Sequence, residues 1–141
     1  MNDQDIRAKA RAIITDAVNG VLMTVDGNGF PHPRTMWTAG IDDDFTTYFV
    51  TGRQLAKVAQ IEANNKVCMF WSRTSDGDYT FLKGEARVTD DQALRDRFWN
   101  DHLSEHFPQG KTDPSYVVIV VKPKELMLMD GMKYPLDKIE L

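Results

Sequence analysis

Apolar residues recur every three or four positions over residues 3–18, at Ile6, Ala10, Ile13, Ile14, Ala17 and Val18, which predicts a helix with one buried face. Gly20 is expected to end it. VLMTV at 21–25 then reads as a strand, and Asp26-Gly27-Asn28-Gly29 as a hairpin turn suited to positive φ. The return strand is placed at 33–39. Pro31 and Pro33 cannot donate to a ladder, so its start should lie at a sheet edge or a bulge. After a turn at 40–44, the β-branched and aromatic run at 46–51 predicts a third strand. Leu55, Val58, Ala59 and Ile61 mark a short amphipathic helix over 54–63, stopped by Asn64-Asn65. Strands follow at 67–71 and 79–88, joined by a loop at 72–78. A helix is expected over 90–106 with Leu94, Phe98, Trp99 and Leu103 on one side, then a loop at 108–114. Strands at 116–121 and 126–129 close the pattern.

Six or seven short strands at hairpin spacing predict an antiparallel sheet, and such sheets commonly remove their edges by closing into a barrel. The strand YVVIVV at 116–121 is apolar on both faces. The barrel interior can cover one face, and a helix or a second subunit must cover the other. With 141 residues and no linker or repeat, the chain reads as a single domain spanning 1–141.

Composition narrows the partners. Residues are 42% hydrophobic and 27% charged, and the formal net charge is −4, so there is no broad basic face for nucleic acid or an anionic membrane surface. The longest apolar run is far too short for a membrane span. The N-terminal segment carries Asp3, Asp5, Arg7, Lys9 and Arg11 without an apolar block, which does not read as a secretory signal. Cys68, the only cysteine, cannot form an internal disulfide and is expected as a buried core thiol. A cytoplasmic location is the expectation.

Any anion site must therefore be local. Arg34, Thr51, Arg53 and Lys57 put cationic and hydroxyl groups on strands or at a helix entrance, a combination that suits a phosphate group. Competing chemistries lack their motifs. There is no Gly-x-Ser-x-Gly elbow, P-loop or GxGxxG fingerprint. His102 and His106 are four apart, but Leu103 stands where a zinc protease needs glutamate, so they read as a polar helix face. His32 in a Pro-flanked turn reads as structural, and Asp42-Asp43-Asp44 as a turn rather than a calcium loop. Met127, Met129 and Met132 read as filler of core or interface. No metal site is expected.

GVLMTVDGNGFPHPRTM at 20–36, YFVT at 48–51, KVAQIEANNKV at 57–67 and GEARVTDD at 84–91 together carry a family resemblance. The chain resembles the FMN-binding split barrels related to pyridoxamine 5′-phosphate oxidase, and among them the general stress protein subfamily. The resemblance covers about residues 5–130. It implies a mainly β fold, a six-stranded antiparallel Greek-key split barrel with flanking helices, forming a homodimer with two FMN sites at the subunit interface. It also implies that Arg34 contacts the FMN phosphate, that Thr35, Met36 and Trp37 run along the flavin, and that Thr51 and Lys57 serve the phosphate or ribityl end. Leu55 and Ala56 stand where the fullest phosphate sites of the family have a hydroxyl and a second cation, which makes Arg53 and Gln54 the candidates to compensate. Trp71 is a candidate flavin contact, with filling of core or interface as its alternative.

By the same resemblance the expected function is that of an FMN-dependent oxidoreductase served by a small-molecule or nicotinamide electron donor. No residue stands out as a general acid or base. Pyridoxamine-phosphate oxidation itself is not expected, because Trp37-Thr38-Ala39 and the tail KYPLDKIEL lack that oxidase's substrate anchors. A flavin-binding stress protein without turnover, or a split barrel holding a deazaflavin or haem, remain the alternatives.

Overall fold

The Asn2 side chain accepts a hydrogen bond from the Asp5 N–H at 2.9 Å and caps helix α1, Asp3–Ala17, whose first turn also carries Asp3 and Asp5. Both features stabilise a helix N-terminus by a hydrogen bond and by the dipole. Ile6, Ala10, Ile13 and Ile14 are its buried face. The helix ends at Val18, whose φ of 63° breaks the spiral, and β1 (Asn19–Val25) begins at once. Gly20 thus lies inside the strand rather than at the helix end, and its role is space. A Cβ there would stand 2.4 Å from the Trp71 indole nitrogen.

The computed structural model describes residues 1–141. The remaining elements are β2 (Pro31–Trp37), β3 (Gly40–Ile41), β4 (Thr47–Gly52), α2 (Ala56–Ala63), β5 (Lys66–Ser72), β6 (Tyr79–Thr89), α3 (Gln92–Phe98), β7 (Tyr116–Met129) and β8 (Asp137–Glu140). Every strand pairing is antiparallel, in the order β2-β1-β5-β6-β7-β4-β3, with β8 also on β7. The sheet curls into a split barrel. Eight strands replace the expected six, for a specific reason. The predicted strands 116–121 and 126–129 are one 14-residue strand, while Gly40–Ile41 and Asp137–Glu140 add two short strands where a turn and a tail were expected. Pro123 is tolerated inside β7 because β4 pairs only as far as Val121 and β8 only from Glu125. No helix is long and apolar enough to cross a membrane.

Opposite Pro123, β6 shifts register between Lys83 and Gly84, and the two strands approach closely. A Cβ on Gly84 would sit 2.7 Å from the Lys122 carbonyl oxygen. Gly84→Ala is therefore expected to lower stability by about 1–3 kcal/mol, as overpacking does. Urea unfolding should show a lower midpoint at unchanged slope; an unchanged midpoint would mean that the bulge relaxes freely.

The core lies within the curl and under α1, and includes Leu22, Phe49, Met69, Trp71, Leu82, Ile119 and Leu126. A smaller cluster covers the outer face of β7, where Tyr116, Val118 and Val120 meet Tyr48, Phe98 and Phe107. This cover comes from the segment expected as one helix over 90–106. It is instead α3, an extended Trp99-Asn100 step, and a 3₁₀ turn at Asp101–Glu105 that restarts on the Asn100 side chain. The break lets Phe98 and Phe107 face the same strand, with ring centroids 4.9 Å from Tyr48 and 5.0 Å from Tyr116 respectively. Strand 116–121 is thus covered on both faces within one chain, and by itself it calls for no second subunit.

Candidate functional site

The strand order runs from β2 to the two-residue β3, which pairs only with Thr47 and Tyr48, so the rest of β4 is left uncovered and faces β2 across the seam where the barrel fails to close. Just beyond the two ends of the β1–β2 ladder, the Thr38 N–H donates to Val18 O and the Asp26 N–H to Phe30 O. Those bonds fix the phase of the ladder. Antiparallel partners alternate between bonded and non-bonded pairs, so Gly20/Met36 and Leu22/Arg34 are the bonded ones in the observed register. The backbone groups of Thr35 and Trp37 then point to the open edge. Pro31 and Pro33 fall in the same phase, and their missing N–H groups are not needed there.

A cleft of about 580 Å³ occupies this seam. Thr35, Met36 and Trp37 form one wall, Val50, Thr51 and Gly52 the other; Gln54, Leu55 and Lys57 line one end, and Leu103, His106 and Phe107 form a cap. Thr51 is buried and accepts a hydrogen bond from Lys57 Nζ at 3.3 Å. Leu55 is the N-cap of α2 and supplies no side-chain hydrogen bond to the first turn. Lys57 lies in the first turn of that helix, where free N–H groups and the positive end of the dipole favour an anion.

Arg34 does not line the cleft. Its Nη1 donates to Leu22 O at 3.1 Å and Thr24 Oγ1 at 2.8 Å, and its Nη2 to Gln60 Oε1 at 3.4 Å. It stands behind Lys57, near enough that its charge, added to the larger effect of burial, holds the Lys57 ammonium below its ordinary pKa. Burial also lowers the Arg34 pKa. None of the groups bonded to either cation is a carboxylate. Two half-buried positive charges without a counter-ion are costly unless an anion joins them.

The other expected residues divide. Gln54 lines the cleft, its amide lying against Gly52. Arg53 turns away, half-exposed, to within 3.7 Å of Asp90, so it does not supply the missing second cation. Trp71 is 1% exposed and donates from Nε1 to Thr38 Oγ1 at 3.0 Å. It belongs to the core and, within this chain, cannot touch a ligand in the seam. Cys68, expected as a core thiol, is instead half-buried on the outer face of β5, where burial raises its thiol pKa. His32 pairs with Asp26 at 2.7 Å and braces the hairpin turn. Asp42 accepts from Tyr48 Oη at 2.6 Å and from Arg97 at 3.0 Å, which keep its carboxyl below the ordinary range.

The family model for "Pyridoxamine 5'-phosphate oxidase like" proteins matches residues 5–132, nearly all of the sheet. The chain belongs to that family. Within it, the chain is 31% identical over 141 residues to General stress protein 26 of Bacillus subtilis (strain 168), covering 97% of this chain and 98% of that one. The structure of General Stress Protein 26 from Bacillus anthracis str. Sterne superposes with a TM-score of 0.81 at 31% identity, covering 96% and 98% of the two chains. The fold alone is shared more widely. An F420 reductase has a TM-score of 0.63 at 24% identity, covering 82% of this chain and 94% of its own. A heme binding protein from Mycobacterium smegmatis has 0.74 at 13%, covering 96% and 57%.

In this member of the pyridoxamine 5′-phosphate oxidase like family the cap residues Leu103, His106 and Phe107 were not legible as site residues. Their spacing from Leu94 and Phe98 suggests only a helix face turned to the core. Leu103 and Phe107 do pack on the outer cluster, and the same side chains close the cleft.

Proposed function

We propose that the seam binds FMN and that the protein is an FMN-dependent oxidoreductase working as a homodimer. The observation that carries this reading is Lys57 at the end of a cleft walled by an open strand edge, with Arg34 behind it, both half-buried and neither bonded to a carboxylate. A phosphate supplies the missing charge. A heteroaromatic ring with alternating donors and acceptors suits the free backbone groups of Thr35 and Trp37, while Met36, Leu103 and Phe107 give an apolar enclosure. When bound, the flavin supplies the hydride or electron transfer, and the chain supplies position, charge and exclusion of water. Lys57 and Arg34 hold the anion end, Thr51 orients Lys57, and Gln54 and Leu55 close the entrance. A nicotinamide or another small molecule serves as electron donor, in keeping with a cytoplasmic protein.

The outer face of the sheet supports the dimer. Val21, Met23, Cys68, Phe70 and Phe81 are only half-buried there, and an apolar hollow of about 530 Å³ is floored by Met23, Val25 and Cys68 and rimmed by Lys66, Lys83, Glu85 and Lys124. A second copy would cover this face. Oxidation of pyridoxamine phosphate remains disfavoured, because residues Asp137–Glu140 of the tail are committed to β8.

Reconstitution of the purified protein with FMN tests the proposal. A flavin absorption spectrum that survives desalting, dimeric sedimentation and anaerobic bleaching by NADH or NADPH are the expected results. A protein that takes up no FMN would end the flavin reading, a Soret band would favour haem, and bound FMN that no donor reduces would favour the storage or sensing role.

A further inference from the structure

We propose that Gln60 is a positioning residue for the anion end of the seam, holding Arg34 beside Lys57 without cancelling its charge. The inference rests on the reading of Lys57 and Arg34 as an anion site. Gln60 lies three residues after Lys57 in α2, one turn along, so both side chains share a face. Its Oε1 accepts from the Thr24 hydroxyl at 2.5 Å and from Arg34 Nη2 at 3.4 Å. Thr24 is fully buried and has one proton to give. That proton goes to Gln60, so the Thr24 oxygen turns its lone pairs to Arg34 Nη1, at 2.8 Å. The guanidinium is thereby tied to β1 and α2 entirely through neutral acceptors, the third being Leu22 O at 3.1 Å.

The choice of an amide has a consequence that shape alone does not predict. Glutamate has nearly the same size and could accept the same two hydrogen bonds. Its carboxylate would form an ion pair with Arg34 in a half-buried setting, and the local charge available to a phosphate would fall by one. Leucine would keep the charge but free the Thr24 hydroxyl and release one tether of Arg34. Glutamine alone among these fixes the guanidinium and leaves its charge unspent.

The test titrates the full-length protein and its Gln60→Glu and Gln60→Leu variants with FMN, with riboflavin, which lacks the phosphate, and with inorganic pyrophosphate, which carries only the anion. Cancelling the positive charge behind Lys57 predicts that Gln60→Glu binds FMN and pyrophosphate about tenfold more weakly or worse, with riboflavin changed less than about threefold. Gln60→Leu should fall between Gln60→Glu and the natural protein. A merely structural role would weaken FMN and riboflavin alike, and that result, or an unchanged FMN-to-riboflavin ratio in Gln60→Glu, overturns the proposal. If Gln60→Glu does not fold, the same ratio in Gln60→Leu decides. A natural protein that binds pyrophosphate but not FMN refutes the cofactor reading and leaves the pyrophosphate arm to judge Gln60; one that binds neither refutes both.

Discussion

Lys57→Ala weakens FMN binding about 10- to 100-fold, because a hydrogen bond to a charged group contributes roughly 1.5–3 kcal/mol net. Arg34→Ala also weakens FMN binding, by about tenfold, through loss of the charge that stands behind Lys57 rather than of a direct contact. Riboflavin binding changes less than about threefold in either variant, since neither group lies along the ring wall. Alanine is a good helix former, so Lys57→Ala leaves α2 intact. Fluorescence quenching of the flavin measures both affinities. Unchanged FMN affinity in both variants would remove the cations from the site.

The pH dependence of the same binding carries a sign that checks the geometry. Burial and Arg34 hold the Lys57 ammonium below its ordinary 10.5. As pH rises through that lowered value toward 10.5, the lysine loses its charge in the folded protein before it would in the unfolded chain. The unfolded state then binds more protons, so the ligand-free protein gains stability over this interval. FMN affinity falls over the same interval, because the charge that holds the phosphate is disappearing. At the acid end affinity rises as the phosphate takes its second charge near pH ~6. In Lys57→Ala the alkaline stability gain and the alkaline affinity loss should shrink together. An affinity profile flat up to pH ~10.5 in the natural protein would mean that Lys57 is remote from the bound phosphate.

Trp71→Ala costs about 3–5 kcal/mol of stability, in the range for deletion of a buried tryptophan, whereas Trp71→Phe costs less and leaves FMN affinity within about twofold. The indole is enclosed against Gly20, and its one polar atom is satisfied by Thr38. It therefore supports β1 from the core and does not meet the seam. Thermal unfolding reads the first effect and an FMN titration of Trp71→Phe the second. A well-folded Trp71→Phe that loses FMN affinity tenfold would restore Trp71 to the cofactor site. Gly20→Ala should mimic the stability loss of Trp71→Ala from the opposite side of the contact.

Local patterning was a good guide wherever one element could be judged by its own residues. The buried stripe of α1, the hairpin at residues 26–29, the prolines at an edge strand and the helix stopped at Asn64 all follow from side-chain spacing and backbone preference. Patterning failed where the cause is distant in the chain. Gly20 looks like a helix stop but answers to Trp71, 51 positions later. The tail forms β8 only because β7 offers an edge that β4 has left. A single helix over 90–106 fits the periodicity, and Asn100 breaks it so that two aromatic residues can reach β7.

The site divides in the same way. The amino-acid sequence by itself determined that the chain carries cations and a hydroxyl at a strand end and a helix entrance, and its motifs were enough to place it in its family. Only the tertiary structure decided which of those groups meet. Arg53 and Lys57 are four residues apart, yet one pairs with Asp90 at the surface while the other is drawn under Arg34. Trp37 and Trp71 are both aromatic strand residues, yet one opens on the seam and the other is sealed in the core. The physical reason is that a strand's side chains alternate between faces while its edge groups depend on which neighbour is missing. Which strands become the two ends of a curled sheet depends on all the pairings at once, and the cleft exists only between those ends.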